Sequence, residues 1–281
     1  MFKKVCIVIP LYNEKLNPYE EISLLQCLRI LGKHDIYITH PKKKNIQLTG
    51  EFTKNPANIH FKSFPGKYFR SPQTYNRLLT SKKYFYAFRD YEYILMYHPD
   101  AFVFKDELAD WCEKGYDYIG APMYEYDGTI HPSEYLGIGN GGFSLHKTKS
   151  AIKVLSSMRR VYSIAGLLKW YLKYNWKGRI RYLPYFIRVF LGLAGRSHYL
   201  FNYLRLNEDV FWGVLVPKAF SWYRVPEFKE AIQFSMEYNC KKLYIENGEK
   251  LPFGCHQWYK GEFLEFWHEK IEACGYVLPK Q

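Results

Sequence analysis

At 281 residues and 33.6 kDa the chain is long enough to close its own core, so neither disulfides nor structural metals are needed to hold it, and one domain spanning 1–281 with an insertion is expected. With 48% hydrophobic and 24% charged residues and a mean hydropathy of −0.35, the composition excludes a disordered tail and a membrane-embedded bundle. The formal net charge of +13 is local: eleven Lys and Arg and no acid fall between Ala151 and Leu206, and the remainder is near neutral.

In chain order, Val5–Ile9 is a continuous apolar run of the kind buried on both faces of a parallel sheet. The run ends at Pro10 and turns polar at Tyr12-Asn13-Glu14, too soon for a signal peptide or a span. Asn17-Pro18 with Glu20 and Glu21 predicts a capped helix carrying Ile22, Leu24, Leu25, Leu28 and Leu31 and stopping at Gly32. A second strand is predicted over Asp35–Thr39, a helix from Ser71-Pro72 through Leu79 with a further turn at Phe85–Phe88, and a third strand over Tyr93–Tyr97. Asp106–Lys114 reads as a helix closed by Gly115. This alternation predicts an α/β fold with a mostly parallel, helix-flanked, Rossmann-like sheet, whose ligands bind beyond the carboxyl ends of the strands.

Residues 151–206 read as a basic, aromatic-rich helical insertion. Its apolar stretches, Leu167–Leu172 and Tyr182–Leu191, are each interrupted by charge and are too short to cross a bilayer. Cations spaced among Trp, Tyr and Phe suit a helix lying in a lipid head-group plane, and suit equally a helix packed on the core with a solvated basic face. Six scattered cysteines, none in a C-x-x-C pair, fit a reducing cytosol.

Four sets of residues invite chemistry. Asp100 follows the third predicted strand, where a carboxylate can hold a hard divalent cation or simply close a turn. Asn140-Gly141-Gly142 precedes a short apolar strand, as a tight turn or as a loop whose amides approach a ligand. Glu208 and Asp209, after Asn207, open a predicted helix over Val210–Leu215, and serve either its dipole or as a general base. His256, in Gly254-Cys255-His256-Gln257-Trp258, is a structural imidazole or a metal ligand.

In order, these pieces resemble glycosyltransferases of the GT-A fold. Pro10-Leu11-Tyr12-Asn13-Glu14 is similar to the P-x-Y-N-E start of family 2 glycosyltransferases, which implies that Pro10, Leu11, Tyr12 and Glu14 hold the nucleotide. Tyr75-Asn76-Arg77 and Asp90-Tyr91-Glu92-Tyr93 resemble segments of the β-1,4-galactosyltransferases, which implies a nucleotide contact for Arg77. Asn140-Gly141-Gly142-Phe143-Ser144 and Glu208-Asp209 resemble their F-G-G-V-S and E-D motifs. The strings D-A-F-V-F, N-G-G-F-S, N-E-D-V-F-W and F-G-C-H resemble the bacterial DUF5672 group of glycosyltransferases over most of the chain.

The resemblance implies a metal-dependent transferase using a nucleotide-sugar, a UDP-sugar by analogy, to extend a bacterial surface glycan on a lipid-linked acceptor with inversion. Asp209 would be the general base, and Glu208 would bind the acceptor or orient the base. Asp100, Asn140, Gly141 and Gly142 would face the donor, while Asp100 and His256 would hold Mn2+ or Mg2+. The first acid of the usual D-x-D is replaced by His98. The expected location is cytoplasmic, peripheral at the inner membrane face, with residues 151–206 on anionic lipid. The alternatives are a sugar-nucleotide binder without turnover and a basic nucleic-acid-binding protein; against the latter, the basic segment lies apart from the motif-bearing loops, so nucleic acid is not an expected partner.

Overall fold

The computed structural model describes residues 3–13, 15–44, 46, 52, 58–124, 132–157, 164–190 and 207–279. The first strand, β1 (Lys3–Pro10), runs into α1 (Pro18–Leu31), β2 (Asp35–Pro41) and β3 (Ile59–Phe64). After α2 (Pro72–Leu79) and α3 (Lys82–Tyr86), β4 (Tyr91–Tyr97) returns to the other side of β1. There follow β5 (Phe102–Val103), α4 (Leu108–Glu113), β6 (Tyr118–Ile119), β7 (Pro122–Tyr124), β8 (Tyr135–Ile138), β9 (Phe143–Lys147) and α5 (Thr148–Ser156).

The main sheet has the order β3-β2-β1-β4-β9-β6. Its β3, β2, β1 and β4 are parallel, and β9 runs antiparallel to β4 and β6. Because the chain moves outward from β1 to β3 and then crosses back to β4, a crevice opens beyond the carboxyl ends of β1 and β4. The continuous apolar run of β1 is explained by its two faces. Val5, Ile7 and Ile9 pack with Leu24, Leu28 and Leu31 of α1, while Cys6 and Val8 join Leu78, Phe85 and Trp212 on the opposite side.

The helix starts at Asn17 and Ser71 hold, whereas the turn read at Phe85–Phe88 begins earlier, as α3 over Lys82–Tyr86. Asn17 caps α1 in a reciprocal box with Glu20, Oδ1 accepting from Glu20 N at 3.0 Å and Glu20 Oε2 accepting from Asn17 N at 2.9 Å. Ser71 and Thr74 form the same device at α2. The helix predicted from Asp106 begins only at Leu108, after Glu107 at the N-cap, and the Asp106 carboxylate pairs instead with Lys33 (2.5 Å). Unread in the sequence was β3, an edge strand with a single fully buried side chain, Phe64.

Two further helices, α6 (Ile164–Leu172) and α7 (Trp176–Phe190), occupy the basic segment. They pack through stacked Tyr171 and Phe186 rings 4.4 Å apart, and Arg179 Nη2 donates to the Leu172 carbonyl (2.8 Å). Among the described residues no helix is long and apolar enough to cross a membrane.

Candidate active site

Strand pairing assembles the site. Since β9 is antiparallel to β4 with Tyr97 opposite Phe143, the start of β9 lies at the crevice end of β4, and His98 N donates to Gly142 O at 2.7 Å. This brings Asn140-Gly141-Gly142 beside His98 and Asp100. A small second sheet does the rest. Its strands are β10 (Ser235–Met236), β11 (Gly254–Cys255) and β5, with Met236 opposite Cys255 and Cys255 opposite Phe102. The residues just past these pairs, Glu237, His256 and Asp100, therefore converge.

His256 sits between two carboxylates, with Nε2 3.1 Å from Asp100 Oδ1 and Nδ1 2.9 Å from Glu237 Oε1. Burial alone would lower its pKa, but the charges of Asp100 and Glu237 outweigh burial and raise it to about 10. Burial would raise that of Asp100, yet His256, by its charge and its hydrogen bond, and Lys260 hold it well below the usual carboxylate range. Lys260 Nζ contacts Asp100 Oδ2 directly. Desolvation, then the charge of His256, pushes His98 down to about 4, so it is a neutral imidazole.

The ligand atoms of His98, Asp100 and His256 all lie within 4.8 Å of one another. Two ligands about 2.1 Å from a shared ion stand at most about 4.2 Å apart, so a small inward rotation closes the set. His98 Nε2 is buried and makes no hydrogen bond, while His256 Nε2 faces only the Asp100 carboxylate, so both nitrogens are placed to serve as ligand atoms. These residues fit a divalent metal, and two imidazoles with one carboxylate favour Mn2+ over Mg2+.

Two cavities meet at this cluster. One of about 220 Å3 is lined by Pro10, Leu11, Tyr12, Asp100, Tyr259 and Lys260. The other, about 580 Å3, is lined by Tyr75, Asn76, Tyr124, Glu208, Asp209 and Glu237, among others. Tyr12, His98 and His256 belong to both walls.

Glu208 and Asp209 begin a helix, Glu208–Val210, that passes into a π-helical turn at Phe211–Leu215. Such turns recur at functional sites because they re-aim neighbouring side chains. Glu208 is raised to about 8 by burial and by the adjacent Asp209. The Asn76 amide is satisfied when its nitrogen faces Glu208 Oε2 (2.7 Å) and the Pro72 carbonyl (3.1 Å). Asp209 is also raised, by burial and by Glu237, against the pull of three backbone N–H groups from Val210, Gly141 and Asn140. Val210 N donates to its Oδ1 at 2.7 Å. Asn207 precedes this helix without a side-chain capping bond.

The two glycines have a packing role that the sequence did not reveal. A Cβ on Gly141 would stand 1.7 Å from Glu208 Oε1, and one on Gly142 would stand 1.9 Å from His256 Nε2. They are small so that the carboxylate and the imidazole can close over them. Asn140 turns the chain at φ 70°, its Oδ1 accepting from Gly142 N (3.2 Å) and Phe143 N (3.3 Å).

Of the residues singled out in the sequence, Pro10, Leu11, Tyr12, Asp100, Gly141, Gly142, Glu208, Asp209 and His256 line these cavities, and Asn140 shapes the turn behind them. Arg77 does not join them: it is exposed on α2 and lines neither cavity, whereas its neighbours Tyr75 and Asn76 do. Glu14 lies outside the described residues. His98 as a ligand, Glu237 and Lys260 were not read as site residues. Of these, only His98 carried a sequence hint, its place in the D-x-D position.

The comparisons with known proteins agree with this architecture. The galactosyltransferase LgtC, solved with donor and acceptor sugar analogues, aligns over 98% of this chain and 98% of its own at a TM-score of 0.51 and 11% identity. Mouse xyloside xylosyltransferase 1 in its apo form aligns over 90% and 97% at a TM-score of 0.49 and 9% identity, and S. aureus TarS 1-349 with UDP-GlcNAc over 52% and 45% at 0.33 and 16%. The fold assignment rests on the first: a sheet with this switch point and its ligand crevice defines the GT-A class. Residues 58–256 match the family described as Protein of unknown function (DUF5672), and the chain belongs to that family. No curated protein matches it in sequence.

Proposed function

We propose that the protein is an inverting glycosyltransferase that takes a sugar from a UDP-sugar and passes it to a glycan acceptor. One observation carries this reading: the cation-ready cluster of His98, Asp100 and His256 and the carboxylate pair Glu208 and Asp209 stand in adjoining cavities that share three wall residues.

The nucleoside diphosphate occupies the smaller cavity, against Pro10, Leu11 and Tyr12, with the Lys260 ammonium facing its phosphates. As the sugar leaves, negative charge grows on the diphosphate, and this cation lowers the barrier electrostatically. His98, Asp100 and His256 would hold a divalent ion, Mn2+ or Mg2+, which supplies Lewis-acid neutralisation of that charge. The acceptor lies in the larger cavity against Tyr75 and Tyr124. Its hydroxyl gives up its proton to Asp209 while attacking the anomeric carbon from the side opposite the diphosphate, which inverts that centre. Buried Glu208, protonated at neutral pH, donates a hydrogen bond to the acceptor and spares Asp209 a second adjacent charge.

The acceptor in this reading is lipid-linked, for a bacterial surface polysaccharide, and is met at the inner membrane face. Along α7, Trp176, Ile180, Leu183 and Ile187 recur at helical spacing and are 67%, 64%, 41% and 44% exposed. Leu168 and Leu172 of α6 are also exposed, and Lys169, Lys173, Lys177, Arg179 and Arg181 are interspersed with no acid among them. An apolar stripe set among cations complements an anionic lipid surface.

A thermal-shift panel of nucleotide-sugars with and without Mn2+ tests the donor assignment. One UDP-sugar should raise Tm, more so with Mn2+, and Asp100→Ala should abolish the Mn2+ increment. Absence of any nucleotide-sugar shift would remove the reading.

A further inference from the structure

The parallel register of β10 and β11 sets Ser235 opposite Gly254 and Met236 opposite Cys255, so the next residues, Glu237 and His256, come abreast. His256 N continues the ladder to Met236 O at 3.4 Å. Glu237 is buried, and its Oε1 accepts from two donors, His256 Nδ1 (2.9 Å) and the Gln257 side-chain amide. The second donor comes at a cost, because Gln257 adopts a left-handed φ of 56°, a region disfavoured for a non-glycine residue. A strained backbone that delivers an amide to one carboxylate oxygen marks that oxygen as held in place. With Oε1 accepting, the imidazole must carry its hydrogen on Nδ1, which turns Nε2 toward Asp100 and His98.

We propose that Glu237 is a positioning residue: it clamps the His256 ring and fixes its Nδ1–H form, so that Nε2 is presented to the cation and diphosphate. The proposal rests on the reading of His98, Asp100 and His256 as a cation site, and adds the group that orients one ligand from behind. A carboxylate behind a ligating histidine fixes its ring and makes it the better donor, and loss of such a partner typically costs about 10–100-fold in metal affinity. Without Glu237 the ring is free to rotate into the larger cavity, which Glu237 and His256 both line.

The test compares wild type, Glu237→Ala and Glu237→Gln by two measurements: 15N–1H NMR of the His256 side chain on the metal-free protein, and Mn2+ titration by calorimetry. In wild type the Nδ1 proton should be protected and visible; in Glu237→Ala it should vanish into exchange, and Mn2+ Kd should weaken about 10–100-fold. Glu237→Gln, whose amide oxygen still accepts from Nδ1, should keep the proton signal and lose less than tenfold. An unchanged Nδ1 signal together with a Kd within twofold of wild type in Glu237→Ala overturns the proposal. Should Glu237→Ala not fold, Glu237→Met, of similar size but without an acceptor for Nδ1–H, decides in its place, and an unchanged Nδ1 signal with a Mn2+ Kd within twofold of wild type overturns the proposal. A wild-type protein that takes up no Mn2+ refutes the cation site instead, and the Nδ1 resonance then decides the positioning role alone.

Discussion

Adding one carbon at Gly142 tests the packing of the site. The Cβ would lie 1.9 Å from His256 Nε2, 2.3 Å from Cδ2 and 2.4 Å from Cε1, whereas ordinary van der Waals contact begins at 3.4 Å. The imidazole must therefore withdraw by about 1.5 Å. It cannot do so and keep both its 3.1 Å approach to Asp100 and its 2.9 Å bond to Glu237. Gly142 is not in the left-handed region, so alanine is acceptable to the backbone and the ring alone is disturbed. Overpacking of this kind costs about 1–3 kcal/mol, which lowers Tm by several degrees in a chain of this size. Misplacement of a reacting group by about 1 Å costs roughly a hundredfold in rate. Gly142→Ala should thus remain folded, lose about two orders of magnitude in single-turnover sugar transfer, and bind nucleotide with little Mn2+ dependence. Gly66→Ala is the control, since a Cβ there meets nothing nearer than Pro41 Cβ at 4.0 Å. Wild-type turnover in Gly142→Ala would refute the claim that His256 works from the position described.

Three other predictions follow from the carboxylates and the basic helices. Asp209→Asn should lower kcat by about 10²–10⁴ while leaving nucleotide-sugar Kd nearly unchanged in calorimetry, because a general base acts on the transition state; an equal loss of donor affinity would remove the assignment. Glu208 makes stability pH-dependent: between the ordinary 4.5 and about 8 the folded protein holds a proton that the unfolded chain has released, so its contribution falls as pH rises through that window. Glu208→Gln, which cannot ionise, should therefore gain Tm on wild type from pH 5 to pH 8.5 in calorimetric scans, and a pH-independent difference would contradict the raised pKa. Ile180→Glu combined with Ile187→Glu replaces exposed side chains, so Tm should hold while co-sedimentation with anionic vesicles at low salt drops at least tenfold, each lost isoleucine removing about 1.5–3 kcal/mol of burial in lipid. Undiminished sedimentation would show that the α7 stripe is not the membrane contact.

What the sequence determined by itself was local or nearly so. The two-faced burial of β1, the helix starts at Asn17 and Ser71 and the halt of α4 at Gly115 (φ 74°) depend on residues a few positions apart, and the periodicity and cap chemistry showed them directly; the reciprocal capping boxes came from the structure. The motif order also brought out Asp100, Asn140–Gly142, Glu208, Asp209 and His256. Their grouping was decided by strand pairing across long stretches of chain. An antiparallel β9 swings Gly142 back to His98, and β10 beside β11 sets Glu237 against His256, a pairing that no spacing in the sequence announces. Tertiary structure likewise turned Arg77 outward, since the buried side of α2 is taken by Tyr75, Asn76, Leu78 and Leu79. It also showed the glycines to be gaps that Glu208 and His256 fill. Composition located the cations of the basic segment, but the stacking of Tyr171 on Phe186 chose which side of α7 faces outward. Side-chain chemistry is written residue by residue, whereas a site is a set of distances between residues that only a folded backbone can fix.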